Sequence, residues 1–380
     1  MLFDAKLSEL SQYLDHLDAE WSRVGSSAHP NLADRLQHRL VLIADLKTEF
    51  ANVAADIRRY QPSSDPALDT WPQVFQRLRD LTDAVHGLRL KELPAYLART
   101  PDDHYVSILL EAMHVEVGLT AVNPVASLHQ SYWFAVLSAP PSHPLYFVPS
   151  SYEVSPLEMA LLYHEMGHLL YRLWSPAFSA TIDRFIASHL QKKTQEANGF
   201  TQPKVREAAL RILDWWRDRY QNEMEETACD VVGALLGGPA FATALTMGLM
   251  ALRRSPFALV DSTYPPLDCR MRLPLAALRA RGLADASVDR AEMTWKRVAE
   301  FYARDKGRWY DWLYDHDYLQ GLVRVVEQFL VMKKMALYDG QAHALIRGGL
   351  NDGAAVLDNL HAFDSWRAAF VAHLRRDYSP

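Results

Sequence analysis

Residues 155–174, SPLEMALLYHEMGHLLYRLW, place the strongest constraint on how this chain can fold. Their apolar residues occupy every side of a helix, and such a helix must be buried all round. The middle of the stretch nevertheless carries His164, Glu165 and His168. An unpartnered carboxylate in that position would cost roughly several kcal/mol. We therefore expect the fold to supply a partner for these three side chains.

The ends of this helix are marked in the sequence. Ser155 and Glu158 form a capping-box pattern, with Pro156 at the first helical position, and this pattern is typical of a helix start. The Ser175–Pro176 dipeptide predicts the end, because a residue before proline disfavours the helical conformation.

The spacing of the two histidines predicts a metal site. Side chains four residues apart lie on one helical face, so the imidazoles of His164 and His168 can hold one ion. Glu165 lies at the edge of that face, where it can reach a water on the ion and act as general base. This HExxH pattern predicts one Zn²⁺ per chain. The alternative is two hydrogen-bonded core histidines beside a buried acid.

A catalytic zinc site needs a third protein ligand and an open position for water. The form with a third histidine is excluded, because Trp174 and Tyr171 stand where it requires histidine and glycine. A second form supplies a glutamate from a later helix, and an aspartate one turn on orients a ligand histidine. Residues 220–238 offer Glu226 and Asp230 at this spacing.

Glu225 competes with Glu226 for the ligand position. Four residues after Glu225 stands Cys229 rather than an acid, so the spacing favours Glu226 and leaves Glu225 as the alternative. The simpler interpretation of residues 223–226 is an acidic first turn of a helix behind Asn222.

A second ExxH pattern, formed by Glu111 and His114, raises the alternative of a di-iron carboxylate bundle. That architecture needs a further carboxylate on a helix between the two motifs. Residues 121–152 contain no acid and several prolines, which argues against the bundle. Glu111 and His114 are then expected to make ordinary pairings.

Three stretches of the chain resemble the gluzincin zinc metallopeptidases, most of all the M48 group of HtpX and Ste24 proteases. They are LLYHEMGHLL at 161–170, EETACDVVGALLGGPAF at 225–241 and DSTYPPLDCRMRL at 261–273. The resemblance covers roughly residues 145–275. In the third stretch Tyr264 replaces the histidine of the family, whereas the matching residues are Ser262, Thr263, Pro265, Pro266 and Arg270.

The resemblance implies zinc on His164, His168 and Glu226, with Glu165 as base. It also implies that Asp230 supports a ligand and that Tyr264 or Arg270 helps to hold the oxyanion. A tyrosine hydroxyl can donate the hydrogen bond that the family's histidine would supply. The chain lacks the extra hydrophobic helices of membrane-embedded relatives and resembles a soluble member.

The expected function is zinc-dependent hydrolysis of peptide bonds in a protein or peptide substrate. One alternative is a zinc-holding scaffold or regulatory protein without turnover, and another is an amidohydrolase of small molecules. The substrate and the oligomeric state are left open by the sequence.

The predicted fold class is α+β, mostly helical, with a zincin-like peptidase module and a small sheet flanked by helical regions. Leucines at three- and four-residue steps predict an antiparallel pair of helices over 7–21 and 36–57. Residues 73–98 are predicted to be helical again. LYFVP at 145–149 is predicted to be a strand at the edge of the sheet, along which a substrate strand could align. The predicted regions are 1–120, 121–285 and 286–380.

The composition limits the classes of binding partner and the cellular location that we expect. The net charge of −6, with acids and bases interspersed, gives no footprint for nucleic acid. Two cysteines without CxxC spacing, and a start without a secretory pattern, predict a cytoplasmic protein. Residues 231–252 carry no charge, but Gly237, Gly238 and Pro239 predict a break into two short buried helices rather than a membrane span.

Overall fold

The computed structural model describes residues 2–27, 33–60, 71–88, 92–97, 100–128, 134–137, 141–149, 155–258, 264–340 and 345–378. The chain forms two compact units, residues 1–104 with 127–129 and residues 105–126 with 130–380. The described part is mostly helical with one small sheet, which confirms the predicted fold class at that level. The predicted division into three regions stays a prediction.

The first unit contains the predicted pair of N-terminal helices. Its helices are α1 (Leu2–Ser27), α2 (Ala33–Tyr60), α3 (Trp71–Gly87) and α4 (Leu93–Leu97). Helices α1 and α2 pack against each other, and the periodic leucines Leu10, Leu14 and Leu17 are buried as predicted. The predicted turn and linker fall largely on residues 28–32 and 61–70, which lie outside the described residues.

The second unit holds the candidate site. Helix α5 (Pro101–Glu116) begins in the first unit and continues into the second. The later helices are α6 (Leu162–Leu173), α7 (Ala177–Asn198), α8 (Pro203–Gly237), α9 (Pro239–Ala251), α10 (Leu267–Ala280), α11 (Ala286–Phe301), α12 (Tyr310–Leu313), α13 (His316–Met332), α14 (Leu345–Val356) and α15 (Leu360–Tyr378).

The sheet corrects one expectation. Its strands are β1 (Val125–Ser127), β2 (Ala135–Leu137) and β3 (Leu145–Phe147), in the order β1-β3-β2. The predicted strand in LYFVP is confirmed, but its predicted place at the edge is wrong. Tyr146 of the central β3 is fully buried and lies opposite Val136 of the antiparallel β2. The central place of β3 fits its sequence, since β3 is apolar on both faces. The edge strand beside α6 is β2.

The start of the site helix also differs in detail. The helical turn begins at Pro156 as predicted, but residues 156–161 form a tight 3₁₀ turn and α6 proper begins at Leu162. The Ser155 side chain makes no capping hydrogen bond, and its carbonyl accepts from the Glu158 N–H at 3.0 Å instead. The hydrogen bonds of the 3₁₀ turn take the place of those that the predicted capping box would have made to the backbone N–H groups at the helix start. Helix α6 ends before Pro176 as predicted.

The predicted break in the uncharged stretch is confirmed. Helix α8 ends at Gly237, and α9 begins at Pro239. Gly238 between them has a φ of +72°, a left-handed conformation that glycine adopts without strain. Helix α8 is not short, since it starts at Pro203 and continues through Gly233 to Gly237. No helix of the described residues is long and apolar enough to span a membrane.

Candidate metal centre

Helices α6 and α8 meet closely where the candidate ligands lie. Gly167 of α6 lies against Cys229 of α8, and a Cβ added to Gly167 would come within 2.8 Å of the Cys229 Cα. Only glycine permits this approach of the two backbones. His164 and His168 of α6 therefore lie directly beside Glu226 of α8.

The three candidate ligands are spaced as zinc ligands would be. The Nε2 atoms of His164 and His168 are 3.2 Å apart, and the Glu226 oxygens lie 3.5 and 3.4 Å from them. With zinc bonds of about 2.0–2.1 Å, the corners of a coordination tetrahedron are roughly 3.3 Å apart. Among the described residues these side chains form a group that could hold a metal ion.

The carboxylate contacts of the two imidazoles also fit a cation. His164 Nδ1 lies 3.0 Å from Asp230 Oδ1, and His168 Nδ1 lies 2.9 Å from Glu225 Oε1. Each contact favours a proton on Nδ1, which leaves Nε2 as an acceptor. In the neutral imidazoles, two acceptor nitrogens then converge on the Glu226 carboxylate without a donor between them. A positive charge is needed at that point.

The site also attracts a proton. Burial lowers the pKa of His164, but hydrogen bonds to Asp230 and Glu226 outweigh burial and raise it to about 10. Burial raises the pKa of Glu226, and its contacts with His164 and Arg270 reverse the shift, so that it lies below its usual value. The carboxylates thus create a potential that favours a cation, and a metal ion competes with the proton for it.

Arg270 holds the carboxylates behind the candidate ligands. Its Nε and Nη2 donate to the Asp230 carboxylate at 2.8 and 2.9 Å, and Nη2 lies 3.3 Å from Glu226 Oε2. Asp230 is fully buried, which raises its pKa, but Arg270 more than reverses this effect. Asp230 lies beside His164, where its predicted orienting role requires it, and that role stays a prediction. For Arg270 the distances show a positioning contact, and its predicted contact with an oxyanion stays a prediction.

Glu225 has a place that the sequence did not reveal. Its carboxylate lies at Nδ1 of His168 and 3.4 Å from Arg172 Nη2, whereas Glu226 faces the Nε2 atoms of both histidines. Two histidine ligands each need an acceptor for Nδ1. Two adjacent acids in α8 were the only signal in the sequence that one acid could serve as ligand and the other as such an acceptor.

Glu165 and Tyr264 line the same pocket of about 540 Å³ as the histidine–glutamate group. Glu165 is buried, and burial raises the pKa of its carboxyl above the usual value. Tyr264 is exposed, and the Arg270 guanidinium lies 5.9 Å from the centroid of its ring. Ser262 and Thr263 of the family pattern lie outside the described residues.

A buried network positions the backbone of Tyr264. Arg219 Nη2 donates to the Tyr264 carbonyl at 2.9 Å, and the Arg219 guanidinium is paired with Glu223. The Tyr314 hydroxyl donates to Glu223 at 3.2 Å. Burial raises the pKa of Glu223 to about 7. Sequence reasoning assigned Glu223 only to an acidic helix turn and overlooked Arg219.

The second ExxH pattern does not join the metal group. His114 is buried, its Nε2 lies 2.9 Å from the Tyr146 hydroxyl, and burial lowers its pKa to about 3. Glu111 is exposed on α5. The expectation of ordinary pairing is thus confirmed for His114.

Comparison with known proteins yields no relative: no family model, no curated protein and no solved structure matches this chain. The resemblance to gluzincins therefore rests on the sequence motifs and stays a prediction.

Proposed function

We propose that this protein is a zinc-dependent peptidase of the gluzincin type, which hydrolyses peptide bonds in a protein or peptide substrate. The observation that carries the proposal is the convergence of His164, His168 and Glu226 at zinc-ligand spacing, with Glu165 in the same pocket. Hydrogen-bonded core histidines with His164 protonated are the alternative, and metal analysis separates the two.

Each side chain then has a chemical task. Zinc, when bound, would supply Lewis-acid activation of a water molecule and of the substrate carbonyl. Glu165 accepts a proton from that water at its carboxylate and passes it to the leaving amine, a role helped by its raised pKa. The Tyr264 hydroxyl donates a hydrogen bond to the developing oxyanion.

The remaining residues hold the ligands in place. Asp230 and Glu225 keep the protons on Nδ1 of the two imidazoles, so that both Nε2 atoms point into the cluster. Arg270 fixes Asp230 and stands beside Glu226.

A peptide substrate is favoured by the strand next to the pocket. Phe134, just before β2, and Ala135 and Val136 at its start line the pocket, and within the described sheet β2 pairs only with β3. An extended peptide can pair with the outer edge of a strand in such a position. The two cysteines are buried and unpaired, which suits the reducing cytoplasm that we propose as its location.

The test combines metal analysis with cleavage assays. We expect one zinc per chain in the wild type and in Glu165→Gln, with peptide hydrolysis abolished in the variant because the base contacts water rather than metal. Glu111→Gln, which changes an exposed glutamate on α5, is the matched control and should alter neither result.

Three outcomes would contradict the proposal. A wild type that binds no zinc would remove the metal site. Bound zinc without cleavage of any peptide would favour a scaffold without turnover. Full activity in Glu165→Gln would place the base elsewhere.

A further inference from the structure

Gly248 lies in the last turn of α9, and it lines the pocket. Glycine inside a helix lowers the stability of the helix relative to alanine, because the unfolded chain has more freedom to lose. A helical glycine therefore calls for a local explanation, which is most often a neighbour that leaves no room for a side chain.

The other helical glycines whose surroundings the structure describes have such neighbours. A Cβ added to any of them would come within 2.2–2.8 Å of another heavy atom; they are Gly167, Gly233, Gly237, Gly321, Gly349 and Gly353. A Cβ added to Gly248 would meet nothing within 4 Å. Packing does not explain Gly248, and the space beside it belongs to the pocket.

The part of the pocket lining that α9 itself provides is aliphatic beside Gly248. Helix α9 also contributes Leu245 and Leu249 to the pocket lining, and its sequence, PAFATALTMGLMA, contains no charged residue. Leu252 and the exposed Arg254, which follow the helix, line the pocket as well. Leu161 and Val136 line the same pocket. Against the leucines of this wall a charged group would lose water, whereas an apolar group would gain by burial.

We propose that Gly248 keeps open a subsite for a large apolar side chain of the substrate, next to the bond that is cleaved. This inference rests on the proposed peptidase function and adds the class of side chain that the site selects. Leu245 and Leu249, both almost fully buried, form the fixed wall of the subsite. The absent side chain at 248 provides its volume.

The subsite predicts a preference that can be measured. A hydrophobic pocket discriminates by roughly 10- to 200-fold for one methylene group, so we expect substrates with leucine or phenylalanine to exceed those with glycine by at least about 10-fold in kcat/KM. Digestion of a mixed peptide library, analysed by mass spectrometry, reveals which residue flanks the cleaved bond.

Gly248→Phe tests the assignment directly. The new ring should occupy the subsite, reduce kcat/KM for large apolar substrates at least about 10-fold, and leave alanine substrates almost unchanged. Gly307→Phe is the matched control, because Gly307 also has nothing within 4 Å of an added Cβ and lies outside the pocket lining. If Gly248→Phe does not fold, Gly248→Ala replaces it, with a smaller loss expected for the largest side chains.

The outcomes separate this inference from the proposed function. Cleavage without apolar preference, or an unchanged preference in Gly248→Phe, overturns the subsite and leaves the peptidase standing. If the wild type cleaves nothing, ligand-observed NMR with N-acetyl-phenylalaninamide and N-acetyl-glycinamide replaces the kinetic test. Binding of the phenylalanine probe alone, lost in Gly248→Phe and kept in Gly307→Phe, supports the subsite, and any other pattern overturns it.

Discussion

Glu225 and Glu226 are neighbours in the chain but face different atoms of the site. Successive side chains on a helix point about 100° apart, so Glu226 reaches both Nε2 atoms while Glu225 reaches His168 Nδ1. The aspartate four residues after Glu226 was enough to favour that residue as the ligand. The sequence could not reveal the contact of Glu225, because it depends on how α6 and α8 are rotated against each other.

We predict that Glu226→Ala loses zinc more completely than Glu225→Ala. Glu226→Ala removes one of the metal ligands themselves. Glu225→Ala removes only the acceptor behind a ligand histidine, which costs roughly 10- to 100-fold in metal affinity. Zinc affinity is measured by competition with a chromogenic chelator, and Glu111→Ala serves as control. A larger loss in Glu225→Ala would show that the ligand is the preceding residue.

Tyr264 lines the pocket, and its backbone is held by Arg219. If its hydroxyl donates to the oxyanion, Tyr264→Phe should reduce kcat by roughly 10- to 1000-fold and leave KM little changed, because the bond forms mainly in the transition state. Tyr302→Phe, outside the pocket lining, is the control for steady-state kinetics on a cleaved peptide. An unchanged kcat in Tyr264→Phe would mean that the ring only packs beside Pro265 and Pro266.

At the scale of elements, α8 supplies most of the charged groups of the site and α6 supplies the histidines. The apolar pattern predicted α6, and the Gly-Gly-Pro sequence predicted where α8 ends. The length of α8 and its close contact with α6 were not predicted, because the pairing of Gly167 with Cys229 joins residues far apart in the chain. Periodicity shows which face of a helix is buried but does not identify the partner that covers it.

Gly167→Ala tests this contact. The added methyl group should push α6 away from α8 and lower the free energy of unfolding by about 1–3 kcal/mol, as overpacking does in other cores. Zinc affinity should fall as well, because Glu226 moves away from the histidines. Gly248→Ala is the control, since it makes the same change in an open place, where the better helix former can add up to about 1 kcal/mol.

Urea unfolding and chelator competition measure both effects. A Gly167→Ala protein as stable as the wild type, with unchanged zinc affinity, would show that the two helices can separate without cost to the site.

At the scale of the whole molecule, the C-terminal helices pack against the helices of the site. Helix α13 lies against α7, α8 and α10, and α14 lies against α9. Asn351 of α14 joins the two helices at the glycine break, since its Nδ2 donates to the Gly237 carbonyl at 3.0 Å and its Oδ1 accepts from the Ala240 N–H at 2.8 Å. The sequence predicted a helical C-terminal region, but not which helices it would cover.

We expect a chain that ends at residue 285, the predicted end of the peptidase module, to lose both its fold around the site and its zinc. It would lack Phe329, whose ring stacks on Phe178 of α7 with centroids 4.4 Å apart, and the other buried residues of α13. It would also lack Asn351.

Full-length Asn351→Ala is the milder comparison, in which a buried carbonyl and a buried N–H lose their shared partner at about 1–3 kcal/mol each. Calorimetry should show a lowered melting temperature for Asn351→Ala and, for the shortened chain, loss of the transition that belongs to the second unit. Zinc bound by the shortened chain with full-length affinity would instead support an independent module within residues 121–285.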